Sequence, residues 1–220
     1  MPTDYTASFA LWVVVRSHCR PDGSRIVEPA WTGDGEQSGV AIFVSRLDAH
    51  IYATLRNVRL PGDAPDNWHC IPLQAFDLHA YARDQNGSVN CAMAFGFVCD
   101  AEGALVISRG APCPSYFELT FDPPEGIAEV VFHFSQAAFE GMCALWREVG
   151  AHAQPQSINR AEVMSDGAFA WLLDIALSVA TETGAEAEAD HWTVFEPLSM
   201  RWLRAPTEAY VMQEAKPTLH

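Results

Sequence analysis

"VAIFVSRLDAHIYATLRN", residues 40–57, joins two patterns at one serine. The run from Val40 to Val44 is apolar throughout and rich in β-formers, the composition of a strand buried on both faces. After Ser45 the apolar residues Leu47, Ile51, Tyr52 and Leu55 recur at helical spacing, and a serine just ahead of such a run is a typical helix N-cap. The stretch therefore reads as strand, cap and amphipathic helix. "VVFHFSQAAFEGMCALWRE", 130–148, repeats that order, with Ser135 as the cap and Phe139, Met142, Cys143 and Trp146 on one helical face.

The flanking sequence extends the parallel. "FALWVVV" (9–15) reads as a buried strand, and Pro21-Asp22-Gly23 supplies the turn after it. "TGDGEQSG" (32–39) is a polar loop, "WHCIPL" a short strand, and "QAFDLHAYAR" a short helix. In the second half "CAMAFGFVCD", "ALVIS", "YFELTF" and "IAEVVFHF" read as an antiparallel meander. "HWTVFEPLSMRWLRA" (191–205) matches 67–82 in order: a Trp, an apolar run, Pro-Leu, then a helix-like stretch. Between them Ser165 and Asp166 open a helix to about Thr183. Its core face is Phe169, Leu172, Leu173, Ala176, Leu177 and Ala180, and Gly184 closes it.

The expected fold is α+β, built as two tandem, pseudo-repeated sheet-and-helix units. Residues 1–85 form the first unit. Residues 86–220 form the second, with a helical insertion at 151–190, and the two pack as one globule. At 220 residues, 49% hydrophobic and 19% charged, the chain can bury a sizeable core.

A net charge of −15 argues against a broad nucleic-acid surface, which needs clustered Lys and Arg. It favours encounter with a basic protein partner. No apolar stretch reaches membrane-spanning length, and the N-terminal residues lack the basic start and long apolar core of a secretory signal, so no membrane partner and a cytoplasmic location are expected. A second copy of the chain is an admissible partner.

The first half resembles the SseB-like domains and related small bacterial immunity-type domains, over roughly residues 9–82. The likeness lies in the "LWVVV" strand, in "IFVSRLDA" (Phe43, Ser45, Ala49) and in "WHCIPLQAF" (Trp68, Ile71, Leu73, Phe76). The 32–39 loop and the 151–190 insertion depart from that pattern. The resemblance implies an α+β domain used in protein contacts, in secretion or toxin-immunity settings, with no catalytic residues to carry over.

The residues themselves yield no catalytic or metal set and no cofactor. The cysteines at 19, 70, 91, 99, 113 and 143 form no C-x-x-C pair, and four of them lie in apolar runs, as reduced buried thiols do. The adjacent pairs His18-Cys19 and His69-Cys70 each offer one ligand per strand face, so a metal site would require His18 and His69, or both cysteines, to meet across paired strands. His133 and Ser135 share a strand face, but helix capping accounts for Ser135. The alternative function is a small-molecule enzyme whose site gathers His69, His133 and Cys113.

Of the seven tryptophans, Trp12, Trp146 and Trp171 fall on core faces, while Trp31 opens the polar loop. Trp31, with the acidic Asp34 and Glu36 beside it, is the candidate partner-binding set. Denatured, unreduced protein should titrate six thiols and carry no stoichiometric zinc; fewer thiols, or one zinc per chain, would overturn the reading of the cysteines.

Overall fold

The structure is a computed structural model describing residues 4–6, 10–19, 23, 25–33, 38–60, 67–85, 87–121, 131–133, 136–184 and 189–207. The strands are β1 (Asp4–Thr6), β2 (Trp12–Cys19), β3 (Arg25–Pro29), β4 (Trp31–Thr32), β5 (Gly39–Phe43), β6 (His69–Pro72) and β7 (Val89–Cys99). There follow β8 (Leu105–Ser108), β9 (Ala111–Pro112), β10 (Pro114–Phe121), β11 (Val131–His133), β12 (Glu182–Gly184), β13 (His191–Glu196) and β14 (Arg201–Pro206). The helices are α1 (Arg46–Asn57), α2 (Leu78–Asp84), α3 (Gln136–Glu148), α4 (Gln154–Glu162) and α5 (Asp166–Ser178).

β5 is buried at every position, as its unbroken apolar run requires. It pairs antiparallel with β2 and parallel with β7, Val40 opposite Cys91 through Phe43 opposite Ala94. The approach to β7 is close at its start, where a side-chain carbon on Gly39 would fall 2.7 Å from the Asn90 carbonyl oxygen. Through these pairings the two halves of the chain share one twelve-stranded mixed sheet with the core order β12–β8–β7–β5–β2–β3. The fold is α+β.

Alternating side chains on the central strands feed two apolar layers. Val13, Val15, Val40, Ile42, Met93 and Phe95 join a core completed by Leu78 of α2 and Met142, Leu145 and Trp146 of α3. Val14, Ala41, Phe43, Ala94 and Phe97 join the opposite core, covered by Leu47, Ile51 and Tyr52 of α1 and by Phe169, Leu172 and Ala176 of α5. No helix among the described residues is long and apolar enough to cross a membrane.

The two halves agree in part. β6 lies antiparallel on β2 as β13 lies on β7. β5, however, belongs to the main sheet, whereas its expected counterpart β11 pairs with β1 in a separate two-stranded sheet. Helices α1 and α3 also cover opposite faces. The halves thus differ in strand order, and the doubled design is not carried further.

Three local expectations are corrected. The 166–183 helix ends at Ser178; the β-branched Val179, Thr181 and Thr183 turn the chain into β12, which pairs parallel with β8. The segment 201–206 is strand β14, not a helix. Glu196 accepts hydrogen bonds from the backbone N–H groups of Leu198 (3.1 Å) and Ser199 (2.6 Å), which makes a hairpin turn there. The meander is also rearranged, because β10 pairs along β7.

Leu172 is buried on α5 and Leu173 only half-buried. Leu172→Ala should therefore cost about 2–5 kcal/mol in urea unfolding, and Leu173→Ala clearly less. Equal and negligible losses would show that this face is not core.

Candidate functional site

A group of titratable side chains gathers where α1 begins. The Ser45 hydroxyl accepts a hydrogen bond from the Asp48 N–H at 3.2 Å and so caps the helix. On the flank of that first turn the Arg46 guanidinium lies 4.0 Å from the centre of the Phe169 ring and 5.6 Å from that of Trp12. His50, one turn on, packs edge-on against Phe169. Glu162, the last residue of α4, accepts a hydrogen bond from the Trp12 indole at 2.8 Å.

Burial sets the protonation of this group. It raises the Glu162 carboxyl, an effect partly offset by Trp12 and Arg46. It holds His50 down at about 4, helped by the Arg46 charge, so the imidazole is neutral. It pushes the Cys70 thiol up to about 12, leaving it protonated and weakly nucleophilic. Arg46, His50 and Glu162 each meet a ring or a hydrogen-bond partner on a neighbouring element, and together they fasten α4 and α5 to α1 and β2.

Asp48 is different. It lies on the sheet-facing side of α1, fully buried, and neither carboxyl oxygen finds a hydrogen-bond partner among the described residues. Burial raises its pKa to about 7, with the Ser45 hydroxyl offsetting only a part.

The candidates for metal or enzyme chemistry are not gathered. His69 lies opposite Val15, whereas His18 lies opposite Ile26 on the far part of β2 and faces Glu28 at 3.8 Å. Cys113 hydrogen-bonds through its backbone to Val98 and Val106, and His133 belongs to the β1–β11 pair. Ser135 lies outside the described residues, as does the side chain of Cys19. The other five cysteines form no disulfide. Among the described residues no three His, Cys, Asp or Glu side chains stand where they could hold a metal ion.

Small concavities lie among the described residues. One, about 160 Å³, is lined by Val98, Ser115, Tyr116, His191 and Trp192; another, about 200 Å³, by Gly39, Asn90, Glu118 and Thr120. In the first, the His191 ring nitrogen Nδ1 lies 2.7 Å from the Asp190 carboxylate.

Trp31 stands on β4, opposite Val40, and is 39% exposed. Its indole N–H donates to the Tyr81 hydroxyl at 3.0 Å, and Tyr81 in turn packs on Phe76. The Glu28 charge lies close enough to act on the Tyr81 hydroxyl. Trp31 is thus a surface aromatic held by Tyr81, and the nearby Glu28 is itself paired with Arg16 at 2.8 Å. Asp34 and Glu36 lie outside the described residues.

Trp171, expected in the core, is instead 55% exposed on α5. The core side of that helix is narrow, made by Phe169, Leu172 and Ala176, and Trp171 falls on a second stripe. The spacing of Ala168, Trp171, Ile175 and Val179 was the signal that a second stripe exists.

The comparisons with known proteins add no relative: no family model, curated protein or solved structure matches this chain.

Folding keeps Asp48 protonated above its ordinary value of 3.8, so its favourable contribution is full at acid pH and is lost as pH rises through about 7. Asp48→Asn should therefore gain on the wild type by roughly 3 kcal/mol between pH 4.5 and pH 8, in urea unfolding at the two pH values. A pH-independent difference would mean that Asp48 is hydrated or paired.

Proposed function

We propose that this chain is a non-enzymatic protein-interaction protein that binds a basic protein partner, with Trp31 as the anchor of the contact. The observation that carries the reading is the partly exposed Trp31 held in place by the Tyr81 hydroxyl. A tryptophan already held by Tyr81 loses little rotamer freedom on binding, so more of its apolar contact is kept as affinity. Asp34 and Glu36 follow it closely in sequence, and the overall charge of −15 adds long-range attraction for a cationic surface.

A cytoplasmic setting is consistent with cysteines at 70, 91, 99, 113 and 143 that form no disulfide. An immunity or secretion-accessory role is the concrete form suggested by the resemblance over residues 9–82.

A partner captured from the native host and purified provides the test. Its association rate should fall as salt is raised, while the dissociation rate stays nearly constant. Trp31→Ala should speed dissociation by about tenfold or more, and Tyr81→Phe by less, because it frees the indole without removing it. Should capture return only a small metabolite, or should a turnover appear that His133→Ala or Cys113→Ala abolishes, the enzyme reading replaces this one.

A further inference from the structure

Helix α5 carries a second apolar seam that, among the described residues, is covered only at Ile175. Phe169, Leu172 and Ala176 point inward. Ala168, Trp171, Ile175 and Val179 recur at i, i+3, i+7 and i+11, about a quarter turn away round the helix. Of these Ile175 is half-buried, and Ala168, Trp171 and Val179 are exposed. A helix apolar round most of its circumference is normally covered.

Exposed apolar side chains also lie near both ends of the helix. Val163, in the short link between α4 and α5, is 82% exposed. At the other end stands the β13–β14 turn, because the Trp202 indole donates to the Ala176 carbonyl at 3.1 Å. Leu198 and Met200 project from that turn, also exposed. The buried Glu196 carboxylate holds the turn through Leu198 and Ser199, and Met200 has a φ of 54°, a left-handed conformation that bulky residues seldom adopt. Strain fixed in place at an exposed apolar tip suits a contact element.

The charges at the two ends are opposite. Asp166 begins α5 with its side chain fully exposed, its approach to Arg46 being a long 3.7 Å. Arg201, also exposed, starts β14 beyond the other end.

We propose that a second copy of this chain covers this face, with the two α5 helices packed antiparallel about a twofold axis. Antiparallel packing sets Val163 of each copy against Leu198 and Met200 of the other, and Arg201 against Asp166. It also opposes the two helix dipoles favourably, whereas parallel packing would set Asp166 on Asp166. The face is complementary to itself, as a closed twofold contact requires. One helix and one hairpin tip make a small interface, so the dimer is weak and concentration-dependent. This surface is separate from Trp31, and the inference does not depend on the partner assigned there.

Sedimentation equilibrium of the full chain, from roughly 1 µM to a few hundred µM, should show a monomer–dimer equilibrium with a dissociation constant in the micromolar range. Trp171→Glu should weaken it by at least about tenfold while leaving thermal unfolding of dilute protein unchanged. If that variant unfolds early, Val179→Asp is read in its place. Arg201→Glu should weaken the dimer, and adding Asp166→Arg should restore it. Trp31→Ala should leave it intact. A monomer at every concentration overturns the proposal, as does a dimer that Trp171→Glu and Val179→Asp both leave unchanged. Failure of the charge swap to restore association overturns the antiparallel pairing.

Discussion

The parallel pairing of β5 with β7 is the constraint on which the rest depends. It is the seam along which the first and second halves of the chain become one sheet. A strand buried on both faces needs two covering layers, and the alternation of Val40 and Ile42 against Ala41 and Phe43 assigns its side chains to them. Helix α1 follows directly from β5 through Ser45, so the strand also decides where α1 lies. Helix α1 in turn receives Glu162, Phe169 and the rest of the α4–α5 segment. Trp31 is bound to the same element by another route, because β4 pairs with the start of β5. Both proposed contact surfaces are therefore referenced to one rigid strand, which limits how far either can shift without disturbing the core.

Much of this order could be read in residues 40–57. An unbroken apolar run, a capping serine and a change of period from two to 3.6 have few other solutions, and the Ser45 cap is present at the atomic level. Other features depended on contacts distant in sequence. Nothing local to Val40–Phe43 says that its neighbour is a parallel strand beginning at residue 89. The 201–206 segment has apolar residues at Trp202, Leu203 and Ala205, a spacing compatible with either period, and the Glu196 carboxylate decided it by taking two backbone donors of the turn. Beyond Ser178 the β-branched residues were visible, but the partner that drew them into a strand, β8, lies more than seventy positions earlier.

The candidate site was legible unevenly. Trp31 was singled out for its place at a polar loop, and its exposure agrees with that placement. Its bond to Tyr81, fifty residues away, could not be seen in the sequence. Trp171 does not share the inner face of Phe169, Leu172 and Ala176, because α5 carries two apolar stripes. A helix with two stripes has no single inner face, and which stripe turns inward is settled by the shape of the layer beneath it. Here the narrower side chains Ala176 and Leu172, with Phe169, fit against α1 and the sheet, leaving the bulkier indole outside.

Asp48 and His50 stand two residues apart on α1, on different sides of the helix, and folding moves their proton affinities in opposite directions. Between about pH 4 and pH 6.5 the folded chain binds more protons at Asp48 than the unfolded chain does, and fewer at His50. The first effect makes stability fall with rising pH and the second makes it rise, each by an amount on the order of 1 kcal/mol per pH unit. Over that range the two slopes oppose each other, so together these residues leave α1 less sensitive to acidification than either would alone.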